Sequence, residues 1–327
     1  MQLRVFRGAG IAGALAALAV GLGACGSSGS SATQAGGKKQ FVIGYSQSNN
    51  AEAYRAQVNI QLQHYVKQYP DLKLLPITDA HQDSTTQVGQ VQNFIAQKVN
   101  VLMVSPNEPA PLAAPIEQAC AAHIPVIILD RSVNSTCYTT FIGGNNVTIG
   151  HDAGEAALKL LPNGGNVVEL RGILSDQPQI DRDKGFRQAI AANPKIKIIA
   201  SREAKWLRPN ATAIMQQWLS TYPKIDLVYA QNDEMALGAY LAAASANRQN
   251  KIKFTGIDGL AIPAGGIRAV QQGKLATTFI YPTGASEAAA IAEKIVHHQP
   301  VPHTIAPPTT QVTKQNAAAL YQKLSGL

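Results

Sequence analysis

The sequence predicts an α/β protein of two similar lobes, each a parallel sheet covered by helices. Three observations carry this. From residue 41 onward, short runs rich in Val, Ile, Leu and aromatic residues alternate with amphipathic helical stretches, the pattern of repeated βαβ units. The alternation completes a cycle of five strands and begins again near residue 166, without residue-level repeats. The chain has 327 residues, 46% hydrophobic and only 15% charged, enough to bury two cores.

In the first cycle, strands are expected at 41–45, 73–78, 101–104, 126–129 and 139–142. Helices are expected at 53–69, 85–98, 112–122 and 149–161, where apolar residues recur at three- and four-residue spacing. Pro125 ends the third of these. The second cycle places strands at 167–170, 196–200, 227–230, 253–257 and 276–280. Two such lobes facing each other make a cleft that a hinge can close.

The first 25 residues combine a basic start (Arg4, Arg7), an apolar run from 11 to 22 and small residues before Cys25. They have the form of an export signal, and the apolar run is too short to span a membrane comfortably. The small residues ahead of Cys25 resemble the bacterial lipoprotein box, in which the cysteine is lipidated and becomes the mature amino terminus. An ordinary secretory signal is the plainer alternative. Residues 26–39 are mostly Gly, Ser and Ala and are expected to act as a flexible tether. After export, Cys120 and Cys137 flank the expected strand at 126–129, as a disulfide or as two buried thiols. The net charge of +8 is mild and unclustered, which gives no indication of nucleic acid binding.

Ligands of open α/β sheets sit at the carboxyl ends of the strands. The residues just past those ends are Ser46, Gln47, Asp79, Asn107, Asp130, Arg131, Asn145, Asn146, Arg171, Trp206, Asn232, Asp233, Asp258 and Tyr281. Carboxylates and amides accept the proton of a sugar hydroxyl while Arg and Asn donate back, and aromatic rings cover the C–H face. Any single Asp or Asn here also serves as a helix cap or turn residue. So many at equivalent strand ends point to a shared ligand.

These residues also carry a family resemblance. AQNDEMALGA (230–239), GIDG (256–259) and QQGKLATT (271–278) resemble the carboxyl half of ribose-type sugar-binding proteins of ABC importers. SQSN (46–49), YRA (54–56), LDRS (129–132), VVELRG (167–172) and IDRDKGF (180–186) are more similar to the galactofuranose-binding branch. The likeness implies the type I periplasmic binding protein fold, two Rossmann-like lobes joined by a three-segment hinge, with crossings near Asn145, Tyr281 and Pro308. With the signal and tether read above, the expected organisation is a lipoprotein signal peptide (1–25), a flexible linker (26–39), an amino lobe (40–145 plus 282–308) and a carboxyl lobe (146–281 plus 309–327). Family contacts map onto Asp130 and Arg131 in the amino lobe and Arg182, Trp206, Asn232 and Asp258 in the carboxyl lobe. Tyr54 and Arg55 resemble the aromatic–Arg pair that the galactofuranose branch puts in its cleft. That branch carries an acid near Asn145 and a Gln or Glu where this chain has Tyr281. With Asn50, these eleven residues form the expected ligand-binding set.

Enzymatic readings find little support. The one GxGxxG match, at residues 8–13, lies in the signal with no strand before it, and no GxSxG elbow occurs. His297, His298 and His303 lie close in sequence but in a Pro-containing stretch that reads as a solvated turn, so no metal and no cofactor are expected. Sugar-responsive repressors share the fold but begin with a helix-turn-helix, where this chain has an export signal. The expectation is a monomeric, lipid-anchored, extracytoplasmic binding protein that delivers a monosaccharide or polyol to ABC permease subunits. A ligand-presenting sensor for a chemoreceptor or kinase, or a binder of a nucleoside or autoinducer, is the alternative.

Overall fold

The computed structural model describes residues 40–326. The expectations for the signal peptide, Cys25 and the 26–39 tether fall outside that range. Among the described residues no helix is long and apolar enough to cross a membrane.

The first lobe is built from β1 (Phe41–Gln47), α1 (Ala53–Val66), β2 (Leu72–Leu74), β3 (Thr78–Asp79), α2 (Ser84–Ala96), β4 (Val101–Ser105), α3 (Ala113–Ala121), β5 (Val126–Leu129) and β6 (Thr140–Ile142). Its strands pair in parallel in the order β2-β1-β4-β5-β6, with β3 also on β1. The expected strand at 73–78 is split in two because Pro76 has no N–H to give the ladder. Alternate residues of β4 and β5 point to opposite faces. Val101, Met103, Ile127 and Leu129 enter one core while Leu102, Val104, Val126 and Ile128 enter another. A sheet buried on both faces explains why these strands read as unbroken apolar runs. Cys120, near the end of α3, is disulfide-bonded to Cys137, with Cα atoms 6.3 Å apart.

The second lobe repeats the plan with α4 (Asn146–Leu160), β7 (Gly165–Arg171), α5 (Gln177–Ile190), β8 (Ile196–Glu203), α6 (Arg208–Thr221), β9 (Leu227–Ala230), α7 (Asp233–Ser245), β10 (Lys253–Thr255), α8 (Gly266–Gln271) and β11 (Thr278–Ile280). The order is β8-β7-β9-β10, all parallel, and β11 joins the edge through the bridges Thr255–Thr277 and Asp258–Ile280. Both sheets therefore reverse direction beside their first strand, between β1 and β4 and between β7 and β9. Those reversal points open the crevices in which such sheets hold ligands.

The chain passes between the sheets at three places: from β6 to α4, from β11 to α9 (Ala285–Val296), and from β12 (Thr304–Ile305) to β13 (Thr310–Val312). After the second passage α9 returns to the first lobe, and β12 extends that sheet beyond β6. After the third, β13 pairs antiparallel with β11 and α10 (Ala317–Leu324) closes the chain on the second lobe. The lobes belong to one unit, Lys39–Leu327.

α4 and α5 pack closely enough to bring α5 to the cleft. A Cβ on Gly185 of α5 would lie 2.1 Å from the Val147 carbonyl oxygen of α4, so only glycine permits this approach.

Candidate functional site

The strand ends of both lobes converge on a small cavity lined by Glu52, Tyr54, Arg55, Asp130, Arg131, Pro178, Arg182, Trp206, Asn232, Asp258 and Tyr281. Nine of the expected residues are among these: Tyr54, Arg55, Asp130, Arg131, Arg182, Trp206, Asn232, Asp258 and Tyr281. Asn50 and Asn145 are not. Asn50 is exposed and its Oδ1 accepts from Asn59 Nδ2 at 2.7 Å. Asn145 is exposed and caps α4, accepting from the Thr148 N–H at 3.1 Å. Its neighbour Asn146 turns inward instead and accepts from Arg182 Nε at 2.8 Å.

Glu52, Pro178 and the adjacent Asp176 were not expected. Glu52 precedes α1 at its N-cap, where a lone acid reads as a cap, yet its side chain makes no cap hydrogen bond. It accepts from Asn49 Nδ2 at 2.7 Å and from Arg131 at 3.3 Å.

The amino-lobe wall is a charge lattice. Arg55, in the first turn of α1, donates to Asp130 Oδ2 at 2.5 Å and to Ser105 Oγ. Arg131 contacts Glu52, Asp130 Oδ2 at 3.9 Å and the Asn107 carbonyl. Burial alone would raise the Asp130 carboxyl, but Arg55, Arg131 and Arg182 outweigh it and hold it below the usual carboxylate range. The two arginines and Asp130 are nearly inaccessible to solvent, and the Arg55–Asp130 pair fixes the relative orientation of its two members within the amino lobe.

In the opposite wall, Arg182 also donates to the Gln231 carbonyl at 2.6 Å. Its guanidinium carbon lies 4.8 Å from the Tyr281 ring centroid and 5.5 Å from that of Trp206, a cation–π arrangement on two sides. Asn232 caps α7 through the Met235 N–H, and its Nδ2 donates to the Trp206 carbonyl at 3.1 Å. Burial pushes the Asp258 carboxyl well above the usual range, the charge of Asp233 adds to this, and Arg182 opposes it. Asp233 lies behind the cavity, where burial raises it to about 7 against the hydrogen bonds from Thr278 and Gly259.

Asp130, Trp206 and Asp258 sit at φ of 65°, 67° and 133°. Such backbone positions cost up to about 1–3 kcal/mol each and persist where surrounding structure holds them. Here Asp130 N–H is tied to the Ile142 carbonyl at 2.7 Å and Asp258 N–H to that of Phe279 at 3.0 Å. Tyr281, on the second passage between lobes, receives the Gly144 N–H at 3.3 Å on its hydroxyl and packs against Tyr54.

The cavity, its place at two matched sheet reversals and the triple connection all belong to one family plan, and the family model described as "Periplasmic binding protein domain" matches residues 43–297. The chain belongs to this family. Among relatives of this periplasmic binding protein, the ribose import binding protein of Salmonella typhimurium is 33% identical over 204 residues, 62% of this chain and 67% of that one. The galactofuranose-binding protein of Escherichia coli is 33% identical over 231 residues, 67% of this chain and 71% of that one. Among solved structures, the fructose-binding periplasmic domain of a hybrid two-component system is similar with a TM-score of 0.84 at 35% identity, covering 88% of this chain and 95% of that one. The family is made up of binding proteins.

Proposed function

We propose that this chain is the extracytoplasmic solute-binding protein of an ABC importer and that it closes on a monosaccharide or polyol between its lobes. It captures the ligand without transforming it. The observation that carries this is the composition of the cavity: Arg55, Asp130 and Arg131 from one lobe face Arg182, Trp206, Asn232 and Asp258 from the other. Planar donors, carboxylate acceptors and an indole face match a ring bearing hydroxyls on its edges and C–H bonds on its faces. The ribose and galactofuranose specificities of its relatives support the same class. Closure is favoured because contacts from both lobes exist together only in the closed form.

Lipidation at Cys25, residence on the extracytoplasmic face of a bacterial membrane, a monomeric state and handover to the permease complete the proposal. They rest on the residue pattern before Cys25 and on the family. A thermal-shift screen of the chain against pentoses, hexoses, furanosidic galactose and polyols tests the ligand class. A ligand at 100 times its Kd adds about 2.7 kcal/mol of stability, a rise of several degrees. A selective rise supports the proposal, and a flat response from folded protein turns to a nucleoside or autoinducer. The fructose-binding domain of the hybrid two-component system favours a second reading, presentation of the bound sugar to a sensor kinase, which a pull-down with the permease or kinase ectodomain separates.

A further inference from the structure

The three histidines that are neighbours in sequence part company in the fold. His303 stacks on Tyr138 with ring centroids 4.7 Å apart. His297, directly after α9, instead meets two carboxylates. Its Nε2 lies 2.7 Å from Asp71 Oδ2, in the turn before β2, and 3.4 Å from Glu293 Oε1, four residues earlier on the same face of α9. One ligand atom from each of the three lies within 4.8 Å of the other two. The second oxygen of Glu293 is shielded from solvent and has no hydrogen-bond partner.

Two carboxylates held this close repel unless a cation or a proton lies between them. The imidazole nitrogen adds a donor that first-row metals favour over calcium or magnesium. Bonds of about 2.0–2.2 Å to a tetrahedral zinc ion set its ligand atoms roughly 3.3–3.5 Å apart. The Glu293–His297 spacing already has that value, and the His297–Asp71 contact must open by roughly 0.6 Å.

We propose that Asp71, Glu293 and His297 form a three-ligand site for a divalent transition metal, with zinc as the best match, water taking the fourth position. The ion would tie α9, the helix that re-enters the amino lobe, to the turn before β2. That turn also accepts the Phe41 N–H at the start of β1, and Phe41 packs its ring edge-on to His297 at 5.7 Å. The site lies beyond the far end of α1 from the cavity, about 21 Å away along a 14-residue helix, so it braces the lobe and leaves the sugar contacts alone.

The test is calorimetric titration of zinc chloride into the full chain, purified without an affinity tag and stripped with a chelator, alongside His297→Ala, Glu293→Gln, and a control carrying His298→Ala and His303→Ala. The expected result is one saturable site in wild type and control. The two ligand variants should bind more weakly by more than the roughly 10–100-fold that loss of an outer-shell partner costs. Zinc should raise the melting temperature of wild type and not of Glu293→Gln, while metal-free Glu293→Gln melts no lower than metal-free wild type because a like-charge contact is gone. The near-isosteric Gln keeps the test decisive if the alanine variant misfolds. No saturable zinc binding by wild type, or equal binding by wild type and Glu293→Gln, overturns the proposal.

Discussion

Arg131 of the amino lobe reaches across the cleft to Asp176 of the carboxyl lobe, Nε to Oδ2 at 3.1 Å, with side-chain exposures of 2% and 0%. The same Asp176 oxygen accepts the Trp206 indole N–H at 2.9 Å. One carboxylate thus joins the guanidinium of one wall to the aromatic face of the other. Asp176→Ala is expected to weaken ligand binding by about 2–5 kcal/mol, because Arg131 is left buried and short of a partner. A double-mutant cycle with Arg131→Met, read by calorimetry, should give a coupling energy well above zero. Additive effects would mean that the pair does not hold the lobes together.

Gly172 leaves room for the Trp206 ring. A Cβ there would fall 2.0 Å from Trp206 Cζ2, so Gly172→Ala must displace the indole. Overpacking of this kind costs about 1–3 kcal/mol of stability. The expected signature is a loss of ligand affinity together with a changed near-ultraviolet dichroism spectrum. Unchanged affinity would remove Trp206 from the ligand surface.

Arg182 is held by Asn146 and Gln231 and lies against two rings. A lysine ammonium cannot reproduce a planar fork stacked between aromatics. Arg182→Lys should therefore lose affinity nearly as far as Arg182→Ala, by tenfold or more. Wild-type affinity in the lysine variant would show that only the charge matters.

Burial raises Asp176 to about 6 and Asp233 and Glu169 to about 7, above their ordinary values of 3.8 and 4.5. Between about pH 4 and 7 the folded state thus binds more protons at these groups than the unfolded chain, and stability falls as pH rises. Asp130 acts in the opposite sense, since its contribution is lost only as pH falls below the usual carboxylate range. The melting temperature is expected to be higher at pH 5 than at pH 8. Asp233→Asn should flatten the slope, its amide still able to donate to Thr278 and accept from the Gly259 N–H. A melting temperature that climbs from pH 5 to pH 8 would contradict this assignment.

The strands at 126–129 and 227–230 were legible to the residue because apolar runs buried on both faces are bounded by turn residues. β12 was not, since two residues in a Pro-rich stretch have no periodicity to read. At the site, charged and aromatic residues directly after strand ends were visible in the sequence. The choice between Asn145 and Asn146 was not, because it turns on which amide the α4 cap consumes. Asp176 was hidden for a different reason. Its importance comes from Arg131 in the facing lobe, a contact across 45 residues that no local pattern encodes. His297 is a further case, its partners Asp71 and Glu293 lying outside the histidine run that drew attention in the sequence.

Calorimetric titration of the sugar or polyol giving the largest thermal shift, into wild type and Asp258→Ala, tests interlobe capture most directly. Asp258 lines the cavity and is 5% exposed, so its carboxyl meets a ligand only inside the cleft. The expected result is one site in wild type and a loss of about 2–5 kcal/mol in the variant. Equal affinity in both proteins, or no binding of any sugar or polyol to the folded chain, would contradict it.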